Sequence, residues 1–304
     1  MLNIRPIFLN CFAHGGSGLL VNFLVSHPNV CISSGETHKV FKPGTDFDKG
    51  WPRIKKQYFY DYPIRLIAGE DLFSPKNLQL RKNHVPQFLR NYIDGILYRG
   101  RFDAMVPTHN FFQYENVPYT MEELGKCRLL TKGLNGLVFA TDLFREMYPD
   151  AVFFGLVRNG FPLLEGRVRR GQSASGFAME FSAVTERMLQ LSEEMKNFHL
   201  LRFEDLVSDP VLFLRKVYDL AGLNVGDVRK VRMLTRPITD SKGNRSITMK
   251  GGNRELAWYT FEQFRQYIRP EINTNQAKLL SREDREAFVR VAGRMMERLG
   301  YAVD

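Results

Sequence analysis

Apolar residues fall along this chain in two rhythms, short unbroken runs and stripes at helical spacing, and the two alternate. Residues 4–11 form the first unbroken run, with Pro6 near its start, and are predicted as a buried strand. Helical spacing follows over residues 19–26 and closes at His27-Pro28. A second strand is predicted over 30–33, leading into the loop Ser34-Gly35-Glu36-Thr37-His38-Lys39. Further strands are predicted over 127–131, 151–157 and 198–202. Helices are predicted over 85–98, 134–148, 162–170, 178–196 and 210–221, and the last over 282–299. Continuous apolar strands alternating with helices imply a parallel sheet covered on both faces. The fold class is therefore α/β, a doubly wound parallel sheet forming one domain over residues 1–304. Residues 42–125 read as a helical insertion, and 235–257, rich in Gly, Lys, Arg and Ser, as a mobile basic loop. No internal repeat or low-complexity tract interrupts the pattern.

The stretch Phe12-Ala13-His14-Gly15-Gly16-Ser17-Gly18-Leu19-Leu20 joins the first predicted strand to the first helix. Strand, glycine-rich turn and helix in that order make an anion cradle. Glycines let the backbone approach a ligand closely, and the first free N–H groups of the helix point at it with the positive end of the dipole behind them. Gly15, Gly16 and Gly18 around Ser17 suit a phosphate. An ordinary strand-to-helix turn is the plainer alternative.

Composition narrows the class of partner. The 304 residues are 44% hydrophobic and 25% charged, enough for one large core, and carry a net charge of +10. The basic residues are dispersed with no consecutive arm, which favours a basic cleft for an anionic small molecule over a nucleic-acid tail. Cys11, Cys31 and Cys127 are odd in number and form no CxxC, which argues against a disulfide framework or a zinc site. The first ten residues lack the apolar core of a signal peptide, and no run reaches the roughly 18 apolar residues of a membrane span. The expectation is a soluble cytoplasmic protein that uses no metal.

Several segments together resemble the sulfotransferases that use 3′-phosphoadenosine 5′-phosphosulfate (PAPS). The first is the loop with its sequel, His14-Gly15-Gly16-Ser17-Gly18-Leu19-Leu20 running to Ser26-His27-Pro28. It is similar to the family's P-loop-like 5′-phosphosulfate loop. The second is Leu156-Val157-Arg158-Asn159-Gly160, similar to the strand end whose arginine binds the 3′-phosphate. The third is Leu201-Arg202-Phe203-Glu204-Asp205-Leu206-Val207-Ser208-Asp209-Pro210 with the following helix, a feature of many bacterial and Golgi-type members. Lys250-Gly251-Gly252-Asn253-Arg254 stands in the place of a late basic loop, and Leu299-Gly300-Tyr301 closes the chain in the family's manner. The tyrosylprotein branch is similar in two more places: Gly35-Glu36-Thr37-His38 at the segment of its catalytic glutamate, and Thr131-Lys132-Gly133 at that of its active-site lysine.

The resemblance implies PAPS as donor, adenosine 3′,5′-bisphosphate as product, and a hydroxyl or amine of a small molecule or saccharide as acceptor. An attacking hydroxyl or amine must lose a proton, which calls for a positioned base. Glu36 is the expected base and His38 its rival, with Lys132 and His14 beside the departing phosphate. Gly15, Gly16, Ser17, Gly18 and Leu19 would hold the 5′-phosphosulfate. Arg158, the position of Gly166, and Lys250, Gly251, Gly252, Asn253 and Arg254 would hold the 3′-phosphate. Two departures stand out: His14 replaces a permanent cation with one that titrates near neutrality, and Gly166 falls where the family commonly has a serine. Arg158, with Arg167 or Arg170, would then hold the 3′-phosphate. Glu204 and Asp205 read as structural, through a helix cap or a basic neighbour, and Trp258 as an adenine platform or a core residue. Two other readings are a nucleotide-binding protein without catalysis and a P-loop kinase or NTPase. The latter lacks the lysine that Gly-x-x-x-x-Gly-Lys-Ser/Thr requires after Gly18.

Overall fold

A computed structural model describes residues 5–32, 87–102, 119–239, 245–248, 255–268 and 271–303. Five parallel strands form the central sheet: β1 (Ile7–Cys11), β2 (Val30–Ile32), β3 (Arg128–Leu134), β4 (Val152–Val157) and β5 (Phe198–Arg202). Their order across the sheet is β2-β3-β1-β4-β5. Both faces are buried, which is why these runs are continuously apolar rather than alternating. Phe8 faces one side and stacks on Phe144 at 4.5 Å and on Phe153 at 5.1 Å. Ile7, Leu9 and Cys11 face the other side.

The Phe8 face is covered by α2 (Gln87–Phe102), α4 (Thr141–Met147), α6 (Ala174–Glu194) and α11 (Arg282–Arg298). α3 (Met121–Lys126) precedes β3, and α5 (Gly160–Val168) follows β4. The opposite face is covered by α1 (Ser17–Leu24), α7 (Phe203–Ser208), α8 (Pro210–Ala221) and α9 (Phe261–Tyr267). α10 (Ile272–Ala277) packs against α5. Local chemistry sets several ends: Asp209 caps α8 by accepting from the N–H groups of Val211 and Leu212, Pro210 opens it, and Gly222 ends it at φ +65°.

Three expectations change. The span 235–257 holds strand residues: β6 (Val231–Thr239), β7 (Arg245–Thr248) and β8 (Glu255–Tyr259) form an antiparallel sheet in the order β7-β6-β8. Two polar residues of β6, Arg232 and Thr235, are buried there against the expectation from hydropathy. β3 continues three residues beyond 131, carrying Lys132 inside the sheet rather than past its edge. The helix expected over 134–148 is a 3-10 turn (Asn135–Ala140) followed by α4, because Asn135 adopts φ +50°. Most of the insertion at 42–125 lies outside the described residues.

His27, from the His-Pro pair, fastens the far end of α1. Its Nδ1 accepts from the N–H of Asn29 at 3.1 Å, so its Nε2–H donates to the carbonyl of Asn224 at 3.1 Å. The three cysteines are buried and none is in a disulfide. No helix among the described residues is long and apolar enough to cross a membrane.

Candidate active site

β1 ends between β3 and β4, where successive crossovers leave in opposite directions, the place at which open α/β sheets bind ligands. Phe12 is fully buried and stacks on Phe181 at 5.2 Å, which anchors the start of the loop. The Gly15 N–H donates back to the Phe12 carbonyl at 2.9 Å, closing a tight turn. That turn takes left-handed backbone at His14 (φ +65°) and Gly16 (φ +87°). Gly16 answers two constraints, because a Cβ there would also lie 2.1 Å from the Phe203 ring.

α1 begins at Ser17 with no side-chain cap. Among the described residues, no backbone carbonyl accepts from the N–H groups of Gly16, Ser17 or Gly18. These are the orphan donors of a helix start, and they carry the positive end of its dipole. The Leu19 N–H is already given to the Gly16 carbonyl at 3.0 Å, and its side chain lies in the core.

Cations gather around this turn. Lys132, paired with Leu9 in the sheet, is 7% exposed. Arg167 donates to Asn135 Oδ1 at 3.2 Å, pairs with Glu180 at 3.5 Å, and lies 5.2 Å from the Phe177 ring centroid. Arg169 pairs with Glu165 at 3.0 Å, and Arg170 donates to the Gly166 carbonyl. His14 is exposed among them. Partial burial first, then the fields of Arg170, Arg167, Lys132 and Arg169, hold its pKa below the usual 6.5. Its imidazole is therefore neutral at pH 7 in the unliganded protein.

Arg158 follows β4 and reaches the same loop, donating Nη1–H to the His14 carbonyl at 3.0 Å. Its Nε–H goes to Asn273 Oδ1 at 2.8 Å and its Nη2–H to Gln276 Oε1, both on α10. The guanidinium lies 4.5 Å from the Phe203 centroid and is 4% exposed. Burial pushes its pKa down to about 10, against an opposing pull from Glu204, so the group stays charged. Glu204 accepts from Asn273 Nδ2 at 2.6 Å, from the Asn159 N–H at 3.0 Å and from the Tyr301 hydroxyl at 2.6 Å. Its role is to tie α10, the start of α5 and the C-terminal segment together; Asp209, not Glu204 or Asp205, provides the helix cap.

The structure thus brings His14, Gly15, Gly16, Ser17, Gly18 and Arg158 to one edge of the sheet, with Lys132 two positions inside the end of β3 and close enough for its charge to act on His14. Gly166 lies buried in α5, where a Cβ would meet Arg170 Nη1 at 3.3 Å, so a serine there would press on that guanidinium. Trp258 is 41% exposed on β8, which removes its core-packing alternative. Glu36, His38, Lys250, Gly251, Gly252, Asn253 and Arg254 lie outside the described residues. Asn135, Asn273 and Gln276 were not anticipated. Only Asn135 carried a signal, the turn-forming pair Asn135-Gly136. Among the described residues no cluster of His, Cys, Asp and Glu has the makings of a metal site.

A sequence model of the Sulfotransferase family matches residues 6–227. The sulfotransferase domain of the olefin synthase from Synechococcus PCC 7002 superposes with a TM-score of 0.50 at 14% identity, covering 98% of this chain and 94% of that one. The sulfotransferase domain from the curacin biosynthetic pathway superposes with a TM-score of 0.51 at 14% identity, covering 98% of each chain. At this identity the likeness is one of fold. No curated protein sequence matches the chain.

Proposed function

Because the chain belongs to the sulfotransferase family, we propose that it transfers the sulfuryl group of PAPS to a hydroxyl or amine on a small molecule or saccharide. One observation supports this above the others: among the described residues the N–H groups of Gly16, Ser17 and Gly18 have no backbone acceptor, and they follow His14, which feels the charges of Arg170, Arg167, Lys132 and Arg169. Gly15 and Gly16 serve the turn itself, where a Cβ would strike Phe12 O at 2.9 Å and the Phe203 ring respectively, and the fit to a phosphate group rests on the helix-start N–H groups that this turn presents. PAPS supplies, when bound, a sulfuryl group already activated on a phosphate leaving group.

The protein's part is positioning and charge. Backbone amides of residues 16–18 hold the 5′-phosphate, and fixed donors of this kind need no reorganisation as charge develops. Lys132 offsets the charge that collects on the departing phosphate. His14 accepts a proton as the anion arrives, turning from a neutral donor into a second cation. Arg158 takes the 3′-phosphate in the bidentate manner of a guanidinium, exchanging the amide oxygens of Asn273 and Gln276 for phosphate oxygens. Gly166 leaves room for the Arg170 guanidinium, which is held against the Gly166 carbonyl. Glu36 receives the acceptor's proton, with His38 the alternative base, and the segment Lys250, Gly251, Gly252, Asn253 and Arg254 covers the 3′-phosphate.

The test is incubation with PAPS and a panel of alcohols, amines and sugars, following release of adenosine 3′,5′-bisphosphate and sulfonated product by mass spectrometry. Adenosine 3′,5′-bisphosphate is expected to raise the melting temperature more than ATP does; equal shifts would point to an NTPase instead. Glu36→Gln is expected to lower turnover about a hundredfold, the lower range for a general base, with adenosine bisphosphate affinity unchanged.

A further inference from the structure

Two non-glycine residues among those described have left-handed backbone, His14 at φ +65° and Asn135 at φ +50°. They lie on neighbouring loops, after β1 and after β3, and their loops are tied to each other. The Ala13 N–H donates to Asn135 Oδ1 at 2.9 Å, and Arg167 Nη2 donates to the same oxygen at 3.2 Å. Left-handed backbone outside glycine persists only where its surroundings over-determine it, and it concentrates at functional sites. Asparagine tolerates that conformation better than most residues.

From this geometry we infer that Asn135 is a positioning residue for the anion loop, acting through the Ala13 amide and the Arg167 guanidinium. The inference rests on the reading of the loop as the anion cradle and extends it to a residue that touches no ligand. With the Ala13 N–H fixed on Asn135, the chain reverses at His14, and among the described residues no backbone carbonyl accepts from the N–H groups of Gly16, Ser17 and Gly18. The same oxygen pins one end of Arg167, whose other contacts are Glu180 and the Phe177 ring. One side chain thus sets both the backbone donors and a cation beside them. A carbonyl oxygen is suited to this: it accepts twice, adds no negative charge next to an incoming anion, and sits on a residue at ease with φ +50°.

Asn135→Gly isolates the effect, because glycine keeps the left-handed backbone without strain and removes only the acceptor. The probe is inorganic sulfate, titrated into protein labelled with [15N]glycine and [15N]alanine and followed at the Gly16 and Gly18 amides. Sulfate affinity is expected to fall about tenfold, equivalent to about 1.4 kcal/mol, and the Ala13 amide is expected to lose protection from hydrogen exchange without ligand. Asn135→Asp keeps an oxygen and is expected to restore Ala13 protection but not sulfate affinity. The Asn135→Gly and Arg167→Ala effects on sulfate affinity are expected to be non-additive, as for residues sharing one partner. Unchanged sulfate affinity in Asn135→Gly overturns the inference, whether or not Ala13 protection or the melting temperature changes. A wild-type protein that binds sulfate at these amides but not adenosine 3′,5′-bisphosphate refutes the PAPS reading and leaves the role of Asn135 decided by the sulfate titration.

Discussion

The two ends of the site solve opposite electrostatic problems. At the loop, partial burial and then the fields of Arg170, Arg167, Lys132 and Arg169 lower the pKa of His14, and among the described residues three helix-start N–H groups have no backbone acceptor. At Arg158 the cation is buried, lies over an aromatic ring and is supplied with oxygens from Asn273, Gln276 and His14. An anion reaching the loop relieves repulsion and fills vacant donors, so its contacts add to what is there. An anion reaching Arg158 must replace contacts already made, and its net gain is the difference between phosphate and amide oxygens. On the proposed reading the loop would capture and Arg158 would discriminate, because a ligand must outcompete two amides to engage that guanidinium.

The largest expected effect comes from removing the closed end. Arg158→Ala removes three hydrogen bonds from a buried guanidinium to half-buried or exposed acceptors, each worth about 0.5–1.5 kcal/mol net, and leaves the Phe203 face uncovered. Denaturant titration should show several kcal/mol of lost stability together with loss of adenosine bisphosphate binding, and a fully stable variant would mean that Arg158 is not the fastener described. Next is Gly16→Ala at the open end. A Cβ at φ +87° and 2.1 Å from Phe203 forces the loop to move, with an expected stability loss of about 1–3 kcal/mol, the cost of one strained residue, and turnover reduced about a hundredfold. Wild-type turnover there would show that the turn need not hold its shape.

Smaller effects sharpen the contrast. The double variant Asn273→Ala, Gln276→Ala removes the oxygens that compete for Arg158 and is expected to tighten adenosine 3′,5′-bisphosphate binding about threefold to tenfold, since each net hydrogen bond is worth about 1 kcal/mol. Weaker binding would mean that these amides aim the guanidinium rather than occupy it. The smallest effect is in protons. His14 is neutral in the free protein because its pKa is lowered, and a bound anion favours the charged form. Calorimetry near pH 6.5 in buffers of differing ionisation enthalpy should therefore report proton uptake on binding, abolished in His14→Gln.

The same sign governs stability. His14, His27 and His199 all have lowered native pKa values, burial being the leading cause in each. Their stabilising contribution is full above the unfolded pKa of about 6.5 and declines as pH falls below it toward the native values. Melting temperature should thus decrease on acidification from pH 6.5, and His27→Gln should flatten part of that decrease.

Much of this arrangement is legible in the order of residues, for physical reasons that also mark where legibility ends. β1, the glycine turn and α1 are evident because strand burial and helix initiation leave strong local signals, and α8 is bounded by Asp209, Pro210 and Gly222 as its capping chemistry dictates. Arg158 is conspicuous after the apolar run of β4. Its partners are not: Asn273 and Gln276 are neutral amides more than a hundred residues away, with no periodicity or charge to flag them. Lys132 was placed one step outside its strand because a lysine inside a buried parallel sheet contradicts hydropathy unless its surroundings are known. β6 is hard to read from hydropathy because it buries the polar residues Arg232 and Thr235. Glu36, His38 and Lys250–Arg254 lie outside the described residues, and their roles stand as proposals.

Phe203 has a consequence of its own. One edge of the ring packs where Gly16 has no side chain, and its face lies under the guanidinium of Arg158. On the proposed reading the ring would couple the two phosphate-binding ends: a guanidinium turned toward a phosphate would uncover the ring and relax its hold on the glycine turn. The two halves of a nucleotide would thereby sense one another through a residue that touches neither. A fragment carrying only one phosphate should consequently bind more weakly than half the whole, and a smaller side chain at 203 should erase that cooperativity before it erases binding.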